Sequence, residues 1–144
     1  MKNSMEIKFK AIAENEAFAR NVVASFILPL NPSLNELADI KTAVSEAVTN
    51  VVVHAYPDKP GYITMKVQTV GQKIEISVID NGVGINDLER ALTPFYTSKP
   101  NEERSGMGFT VMESFMDKLE VINNKHGVTV TMQKEIEESN EVAV

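Results

Sequence analysis

The sequence has no cysteine and no tryptophan, and it contains only two histidines among its 144 residues. The missing cysteine excludes disulfide bonds, thiolate metal sites and cysteine catalysis, and two histidines argue against a structural zinc site. Basic residues are also few, since 14 Lys and Arg face 20 Asp and Glu and leave a net charge of −6. Such a charge argues against a partner held through nucleic-acid phosphates. We expect an intracellular protein that does not bind nucleic acid directly.

Long apolar runs are missing as well. The most apolar stretch, from Val22 to Leu30, is broken by Ser25 and Pro29, far short of the roughly 18 residues of a membrane span. No signal-peptide pattern opens the chain. We therefore predict a cytoplasmic protein with one compact domain over residues 1–134. An acidic tail with four glutamates is expected over residues 135–144.

Hydrophobic periodicity predicts the element order β-α-α-β-β-loop-α-β-β. A first helix is expected over Asn15–Leu28, with its apolar line at Phe18, Val22, Phe26 and Ile27. We also expect a short helix over 87–92 and a polar loop of lid length over 97–105. Hairpins instead of repeated βαβ units predict an α+β fold. Its form is a two-layer sandwich, with helices on one face of a mixed, mostly antiparallel sheet.

A second helix has a clear start and two distinct faces. Ser33 and Glu36 form a capping-box pattern, and the helix should reach about His54. One apolar stripe consists of Leu37, Ile40, Val44, Val48, Val51 and Ala55. Glu46, Asn50 and His54 form a second, polar line. A solvated helix face explains this line equally well when it is taken alone.

Glu46 and Asn50 are one helical turn apart, so their side chains project side by side. A carboxylate beside a carboxamide oxygen suits a hard cation such as Mg²⁺ together with a nearby hydroxyl. His54 invites a phosphohistidine hypothesis, but it lies within this same helix. A packed or hydrogen-bonded histidine is the favoured interpretation.

A glycine loop, Asp80-Asn81-Gly82-Val83-Gly84, follows a predicted strand. Gly82 and Gly84 allow a flat ligand to approach the backbone, and Asp80 offers an acceptor for an exocyclic amine. That combination would recognise adenine. An ordinary turn is the alternative when the segment is considered alone.

A second glycine segment, Gly106-Met107-Gly108, opens a predicted helix. Helix amides and the positive end of the helix dipole favour a bound phosphate there, and Lys99 and Arg104 add positive charge nearby. The spacing is neither a Rossmann fingerprint nor a Walker A loop. A flexible helix start is the alternative interpretation.

Taken together, these three segments resemble the N box, G1 box and G2 box of the GHKL ATP-binding superfamily, which includes histidine kinases, gyrase B and mismatch-repair ATPases. Three runs are most similar to the anti-sigma serine kinases of spore-forming bacilli, a branch of that superfamily. They are Glu-Ala-x-x-Asn with His-Ala-Tyr, Thr-Pro-Phe-Tyr-Thr-Ser-Lys-Pro at 93–100, and Glu-Arg-Ser-Gly-Met-Gly-Phe at 103–109. The resemblance covers nearly the whole chain.

The resemblance implies a role for each matching residue. Glu46 is the expected general base toward a substrate serine, Asn50 the Mg²⁺ ligand that helps to bind ATP or ADP, and Asp80 the acceptor of the adenine amine. Further nucleotide-binding residues are expected at Gly82, Gly84, Lys99, Arg104, Ser105, Gly106, Met107 and Gly108. The final strand of the family begins Gly-Thr, whereas this chain has Gly127-Val128-Thr129, which makes Thr129 the candidate for that contact.

The resemblance also implies partners. They are a sigma factor that the protein inhibits, an anti-anti-sigma protein that it phosphorylates on serine, and a second copy in a homodimer. The first helix and the first predicted strand, in which Met5, Ile7 and Phe9 alternate with polar residues, are candidate dimer interfaces. Arg20 is a candidate contact for an acidic patch on a regulatory partner, although an ion pair with Glu16 is its default interpretation. Two alternatives remain open: a conformational ATPase, and a sequestration module whose nucleotide is structural.

Overall fold

The computed structural model of the chain describes residues 2–85, 108–124 and 126–138. Within these ranges the elements are β1 (Lys2–Lys10), α1 (Asn15–Ile27), α2 (Leu34–Asn50), β2 (Tyr62–Val70), β3 (Lys73–Asp80), α3 (Gly108–Phe115), β4 (Lys118–Asn124) and β5 (Gly127–Glu135). A 3₁₀ turn at Leu28–Leu30 follows α1, and a π-helical turn at Val51–Ala55 extends α2. The helix expected over 87–92 and the loop expected over 97–105 lie outside the described residues.

The five strands form one sheet in the order β1-β2-β3-β5-β4, and each of the four described pairings is antiparallel. The expected mostly antiparallel sheet is confirmed, while the parallel pairing of a mixed sheet does not occur among the described strands. β2 and β3 form the predicted hairpin around Gly71-Gln72, and Gly71 has a φ of 60°. A two-residue turn needs a positive φ, which glycine adopts without steric cost.

Every second residue of the central strands points into the core. Ile74, Ile76 and Val78 of β3 are buried, whereas their neighbours along the strand are partly exposed. The helices pack on this apolar face, with α2 in the middle of the layer and in contact with both α1 and α3. The two-layer α+β architecture is therefore confirmed, and α2 is its central helix.

The apolar stripe predicted for α2 lies in the core. Its buried members are Ile40, Val44, Val48, Val51 and Ala55, and Leu37 is partly buried. The helix reaches the end that the sequence predicts, but its last turn is π-helical rather than α-helical. This wider turn matters for the site because Ala55 and the following residue contact the glycine loop after β3.

The helix α1 begins where the sequence predicts and ends one residue earlier, and its core-facing residues agree in part with the predicted apolar line. Its buried residues are Ala19, Val23 and Ile27, whereas Phe18 is 49% exposed. Ile27 of the predicted line is buried and Phe26 packs against the core, as expected, whereas Ala19 and Val23 take the core positions expected for Phe18 and Val22. Phe18 instead packs edge to face against Phe9 of β1, with ring centroids 5.9 Å apart. The small Ala19 side chain allows α1 to pack closely against its neighbours, which the size of Phe18 would prevent.

The packed domain extends beyond the boundary predicted at residue 134. β5 continues to Glu135, and Ile136 is 1% exposed. The Ile136 amide donates to the carbonyl oxygen of Gln72 at 2.8 Å, and the Glu137 amide donates to the Glu36 carboxylate at 2.9 Å. The sequence did not predict this contact, because Ile136 is a single apolar residue between glutamates. Residues 139–144 lie outside the described residues.

The start of α2 carries the predicted capping box. The Ser33 hydroxyl accepts from the Glu36 amide at 3.1 Å, and the Glu36 carboxylate accepts from the Ser33 amide at 2.8 Å. Partial burial raises the pKa of Glu36, but the hydrogen bonds from Ser33 and Glu137, with the charge of Lys134, outweigh it and hold that pKa below its ordinary value. The carboxylate therefore stabilises the fold while it is ionised.

We expect Ser33→Ala to lower the free energy of unfolding by about 1 kcal/mol, because the Glu36 amide loses the hydroxyl that accepts its hydrogen bond. Urea denaturation at pH 7 measures the change. Ser25→Ala, at an exposed position of α1, is the matched control and should leave stability unchanged or slightly raised. The difference between native protein and Ser33→Ala should shrink as the pH falls through the pKa of Glu36. Equal losses in the two variants would contradict the capping role.

Candidate functional site

The three segments singled out in the sequence contribute to one end of the molecule. β3 ends there with Asp80, α2 ends beside it, and α3 and β5 both begin there. Three contacts described below join these ends: Asn50 with Gly108, Ala55 with Val83, and Asp80 with Val128. The site is thus assembled from the ends of four elements that are far apart in sequence.

Glu46 and Asn50 lie on the partly exposed side of α2, next to its buried stripe. Ala47 and Val48 between them are fully buried, which fixes the orientation of the helix and therefore of the two polar side chains. Glu46 interacts with neighbouring groups of the protein. His54 lies on the same side, is half-buried and also has an interaction partner, so it is a packed residue of the domain.

Asn50 lies directly against the first residue of α3. A Cβ atom placed on Gly108 would lie 3.0 Å from Asn50 Oδ1 and 3.1 Å from its Nδ2. Only the missing side chain of Gly108 lets the helix start approach the carboxamide this closely. The first amides of an α-helix have no acceptors within the helix. The structure therefore places a potential metal-ligand oxygen beside a potential anion site.

The side chain of Asp80 is buried at the end of β3, with 5% of the residue exposed. Its Oδ1 accepts from the Gly82 amide at 2.9 Å and from the Val128 amide at 3.3 Å. Burial raises the pKa of Asp80, and the two backbone hydrogen bonds oppose that rise. Both hydrogen bonds that the described residues make to this carboxylate end on Oδ1.

Close backbone packing surrounds this carboxylate. Gly127, which begins β5, has a φ of 130°, and a Cβ atom there would overlap the Asp80 carbonyl oxygen. A Cβ atom on Gly82 would overlap the carbonyl oxygen of Ala55. That carbonyl accepts from the Val83 amide at 3.0 Å. The glycine loop is thus held against the last turn of the central helix.

Gly84 completes the loop with a φ of 76°, a conformation that side chains rarely adopt. The next residue, Ile85, is held by the side chain of Asn123 on β4. Asn123 Oδ1 accepts from the Ile85 amide at 2.7 Å, and its Nδ2 donates to the Ile85 carbonyl at 2.6 Å. Asn123 has no role that the sequence reveals, because one asparagine before a predicted turn carries no signal of a contact 38 residues away.

Tyr56 is a second residue to which the sequence analysis assigned no role. Its hydroxyl donates to the Tyr62 carbonyl at 2.6 Å and accepts from the Asn81 amide at 2.9 Å. The tyrosine therefore joins the end of α2, the start of β2 and the glycine loop. Its position two residues after His54 was visible in the sequence, but its hydrogen-bond partners were not.

Thr129 is the predicted site residue that the structure does not bring to Asp80. Val128 and Val130 of β5 point into the core, so Thr129 between them lies on the opposite face of the sheet, across from Ile79. Asp80 is instead contacted by the backbone amide of Val128. Strand alternation decides this placement, and the one-residue departure from the family pattern moves the threonine to the other face.

Five predicted site residues lie outside the described part of the chain: Lys99, Arg104, Ser105, Gly106 and Met107. Within the described ranges, no cluster of three or more His, Cys, Asp or Glu side chains is arranged to hold a metal ion by itself. None of the described helices combines the length and apolarity needed to cross a bilayer.

Comparison with known proteins agrees with this arrangement. A family described as histidine kinase-like ATPase domain matches residues 9–134. The chain is 53% identical over 135 residues to the anti-sigma F factor of Caldanaerobacter subterraneus subsp. tengcongensis, which covers 93% of this chain and 94% of that protein. It is 49% identical over 144 residues to the anti-sigma F factor of Oceanobacillus iheyensis, covering 99% of both.

A solved structure shares the fold. The RsbU and RsbW domains of a Mycobacterium tuberculosis protein align with a TM-score of 0.68 at 18% identity, over 93% of this chain and 32% of that one. The site geometry, the family match over residues 9–134 and the near-complete alignment to relatives at about half identity all agree. This chain therefore belongs to the histidine kinase-like ATPase family, within the group of relatives named anti-sigma F factor.

Proposed function

We propose that this chain is an ATP-dependent protein serine kinase that also binds and inhibits a sigma factor. Its serine substrate in this proposal is an anti-anti-sigma protein. The names of its relatives support the sigma-factor partner, and the ATPase family supports the nucleotide. The observation that carries the proposal is the contact between Asn50 and Gly108, because it joins an oxygen ligand to the start of a helix.

The adenine end of the nucleotide is assigned to the buried carboxylate. Asp80 Oδ2 would accept from the exocyclic amine, while Oδ1 stays engaged with the amides of Gly82 and Val128. Gly82 and Gly84 would let the base approach the loop backbone. A buried charged acceptor rejects a base that presents an oxygen at the same position, because two acceptors cannot share a hydrogen bond.

The phosphate end is assigned to the start of α3. Its unpaired amides and positive dipole end would bind phosphate oxygens. Asn50 Oδ1 suits Mg²⁺, which prefers oxygen ligands and would neutralise charge on the transferring phosphoryl group. The residues proposed to complete this end are Lys99, Arg104, Ser105, Gly106 and Met107.

Glu46 is the proposed general base, one helical turn before Asn50. In the reaction, the substrate serine oxygen bonds to the γ-phosphorus and the bond from that phosphorus to the bridging oxygen of ADP breaks. The serine proton passes to the Glu46 carboxylate. Because the transition state of phosphoryl transfer is loose, placement of the hydroxyl contributes more than proton removal.

Further partner contacts are assigned to α1 and β1, in addition to the substrate serine that must reach Glu46. Arg20 of α1 is paired with Glu16 at 2.7 Å, as the sequence predicts, and its side chain is 38% exposed. We propose that it contacts an acidic patch of a regulatory partner. The proposal also includes a homodimer in which α1 and β1 contribute, and β1 is an outer strand of the described sheet.

The kinase is tested with γ-labelled ATP, Mg²⁺ and purified candidate anti-anti-sigma proteins, followed by phosphoamino-acid analysis. We expect phosphoserine on the partner. Glu46→Gln should retain ATP binding and lower the transfer rate by roughly 10²- to 10⁴-fold, the usual contribution of a general base. Asn50→Ala should lose both Mg²⁺-dependent ATP binding and transfer.

The matched controls are Glu14→Gln, at the exposed residue that precedes α1, and Asn35→Ala, at an exposed position of α2. Both should label the partner at the native rate. Free phosphate without labelled protein would favour a conformational ATPase or a sequestration module. Label on His54 would contradict its assignment as a packed residue. A native transfer rate in Glu46→Gln would remove Glu46 from the role of base.

Asp80→Asn should weaken ATP binding by roughly 10- to 100-fold, because an amide nitrogen then faces the adenine amine. The variant should bind ITP relatively better, since hypoxanthine presents an acceptor there. Burial raises the pKa of Asp80, so the ionised carboxylate opposes folding at neutral pH, and that cost disappears as the pH falls through this pKa. Thermal stability at pH 7 should therefore be retained in Asp80→Asn.

Isothermal titration with ATP and ITP measures these affinities. ATP binding by the native protein should weaken as the pH falls through the raised pKa of Asp80, whereas Asp80→Asn should show no such loss. An unchanged preference for ATP over ITP in the variant would contradict the assignment of Asp80 to the adenine amine.

Arg20→Glu should weaken binding of the anti-anti-sigma partner at least roughly tenfold, because charge reversal places like charges together at the contact. Surface plasmon resonance at two salt concentrations measures the effect. Glu16→Gln removes the same ion pair and keeps the arginine, so it is the matched control. Equal partner affinity in Arg20→Glu and native protein would remove Arg20 from the interface, while ATP affinity should be native in both variants.

A further inference from the structure

The pairing of β2 with β3 ends at Ile63 and Asp80, just before the next hydrogen-bonded pair that the antiparallel pattern predicts. In a two-residue hairpin, the residues flanking the turn form a hydrogen-bonded pair, and such pairs then recur at every second position. Val70 and Lys73 flank the turn, and counting from them makes Thr64 and Ile79 a pair of this kind. The next pair would be Tyr62 with Asn81, directly beyond Asp80.

The hydroxyl of Tyr56 occupies the place of that missing ladder bond. In a continuing ladder the Asn81 amide would donate to the Tyr62 carbonyl. Instead the amide donates to the Tyr56 hydroxyl at 2.9 Å, and the hydroxyl donates to the Tyr62 carbonyl at 2.6 Å. Both backbone groups stay satisfied, but a side-chain oxygen now separates the strands.

The surrounding packing holds the tyrosine ring in this position. A Cβ atom on Gly61 would overlap the ring of Tyr56, so the glycine leaves the space that the ring fills. One residue before Tyr56, the Ala55 carbonyl accepts from the Val83 amide at 3.0 Å. Two successive residues at the end of the central helix therefore accept hydrogen bonds from the glycine loop, Ala55 through its carbonyl and Tyr56 through its hydroxyl.

We propose that Tyr56 is a positioning residue that ends the β2–β3 ladder and directs Asn81-Gly82-Val83 out of the sheet. The inference rests on the proposed nucleotide site, which this loop borders. Tyr56 acts through the Asn81 amide and does not itself contact the nucleotide. Without the hydroxyl, Asn81 can pair directly with Tyr62, and the loop then approaches β2 and leaves its position beside Asp80.

Tyr56→Phe tests the inference, because it removes the bridging oxygen and keeps the ring. Tyr62→Phe is the matched control, since only the backbone carbonyl of Tyr62 takes part and its exposed side chain lies on the other face of the sheet. We expect Tyr56→Phe to bind ATP roughly three- to tenfold more weakly, the usual consequence of one lost hydrogen bond. Tyr62→Phe should bind within twofold of the native protein.

Two further readouts separate positioning from general stability. At saturating ATP, the phosphoryl-transfer rate of Tyr56→Phe should match the native rate, because Glu46 and Asn50 lie on α2 and keep their places. The amide nitrogen resonance of Asn81 should shift in Tyr56→Phe and stay unchanged in Tyr62→Phe. All measurements are made well below the midpoint of thermal unfolding of each variant.

Gly61→Ala is the second variant, because its methyl group displaces the ring while the hydroxyl remains. It should weaken ATP binding as Tyr56→Phe does, and the double variant should be no weaker than Tyr56→Phe alone. If Tyr56→Phe has native-like ATP affinity and an unshifted Asn81 resonance, this inference is overturned and the proposed nucleotide site is unaffected. Failure of the native protein to bind ATP would instead overturn the proposed nucleotide site and, with it, this inference.

Discussion

The arrangement of the site depends on the buried carboxylate of Asp80. A buried charge is tolerated only where hydrogen bonds replace its hydration, and here the amides of Gly82 and Val128 supply them. Those two amides belong to segments that are 46 positions apart, so satisfying one side chain fixes the glycine loop and the first residues of β5 together. Burial also keeps the pKa of this carboxyl above its ordinary value.

The central helix α2 connects the region around Asp80 with the other end of the site, at the start of α3. The helix α2 is anchored by its buried stripe, and its first turn is fixed by the capping box. Asn50 then lies against the start of α3, while Ala55 and Tyr56 hold the loop after β3. One element, α2, thus positions both ends of the nucleotide site that we propose. Such preorganisation suits phosphoryl transfer, where placement and charge neutralisation supply most of the rate.

Two of the three segments were located by their local signals, and the structure describes part of the third. Glu46 and Asn50 share a helix face because residues four apart always do, and Asp80 ends a strand whose alternation is plain in the sequence. Thr129 could not be placed in this way, because a shift of one residue moves a side chain to the other face of a sheet. The roles of Asn123 and Tyr56 were invisible, because their partners are backbone groups of distant segments.

The sequence by itself determined the element order, the capped central helix, the hairpin at Gly71-Gln72 and the one-sided apolar face, because each of these follows from local periodicity, capping or turn chemistry. It also carried the motifs of the family. Only the tertiary structure decided that Phe18 stays exposed, that Ile136 belongs to the core, and that a tyrosine hydroxyl ends the central ladder. These features depend on packing and hydrogen bonds between elements that are distant in the chain, so local sequence patterns do not predict them.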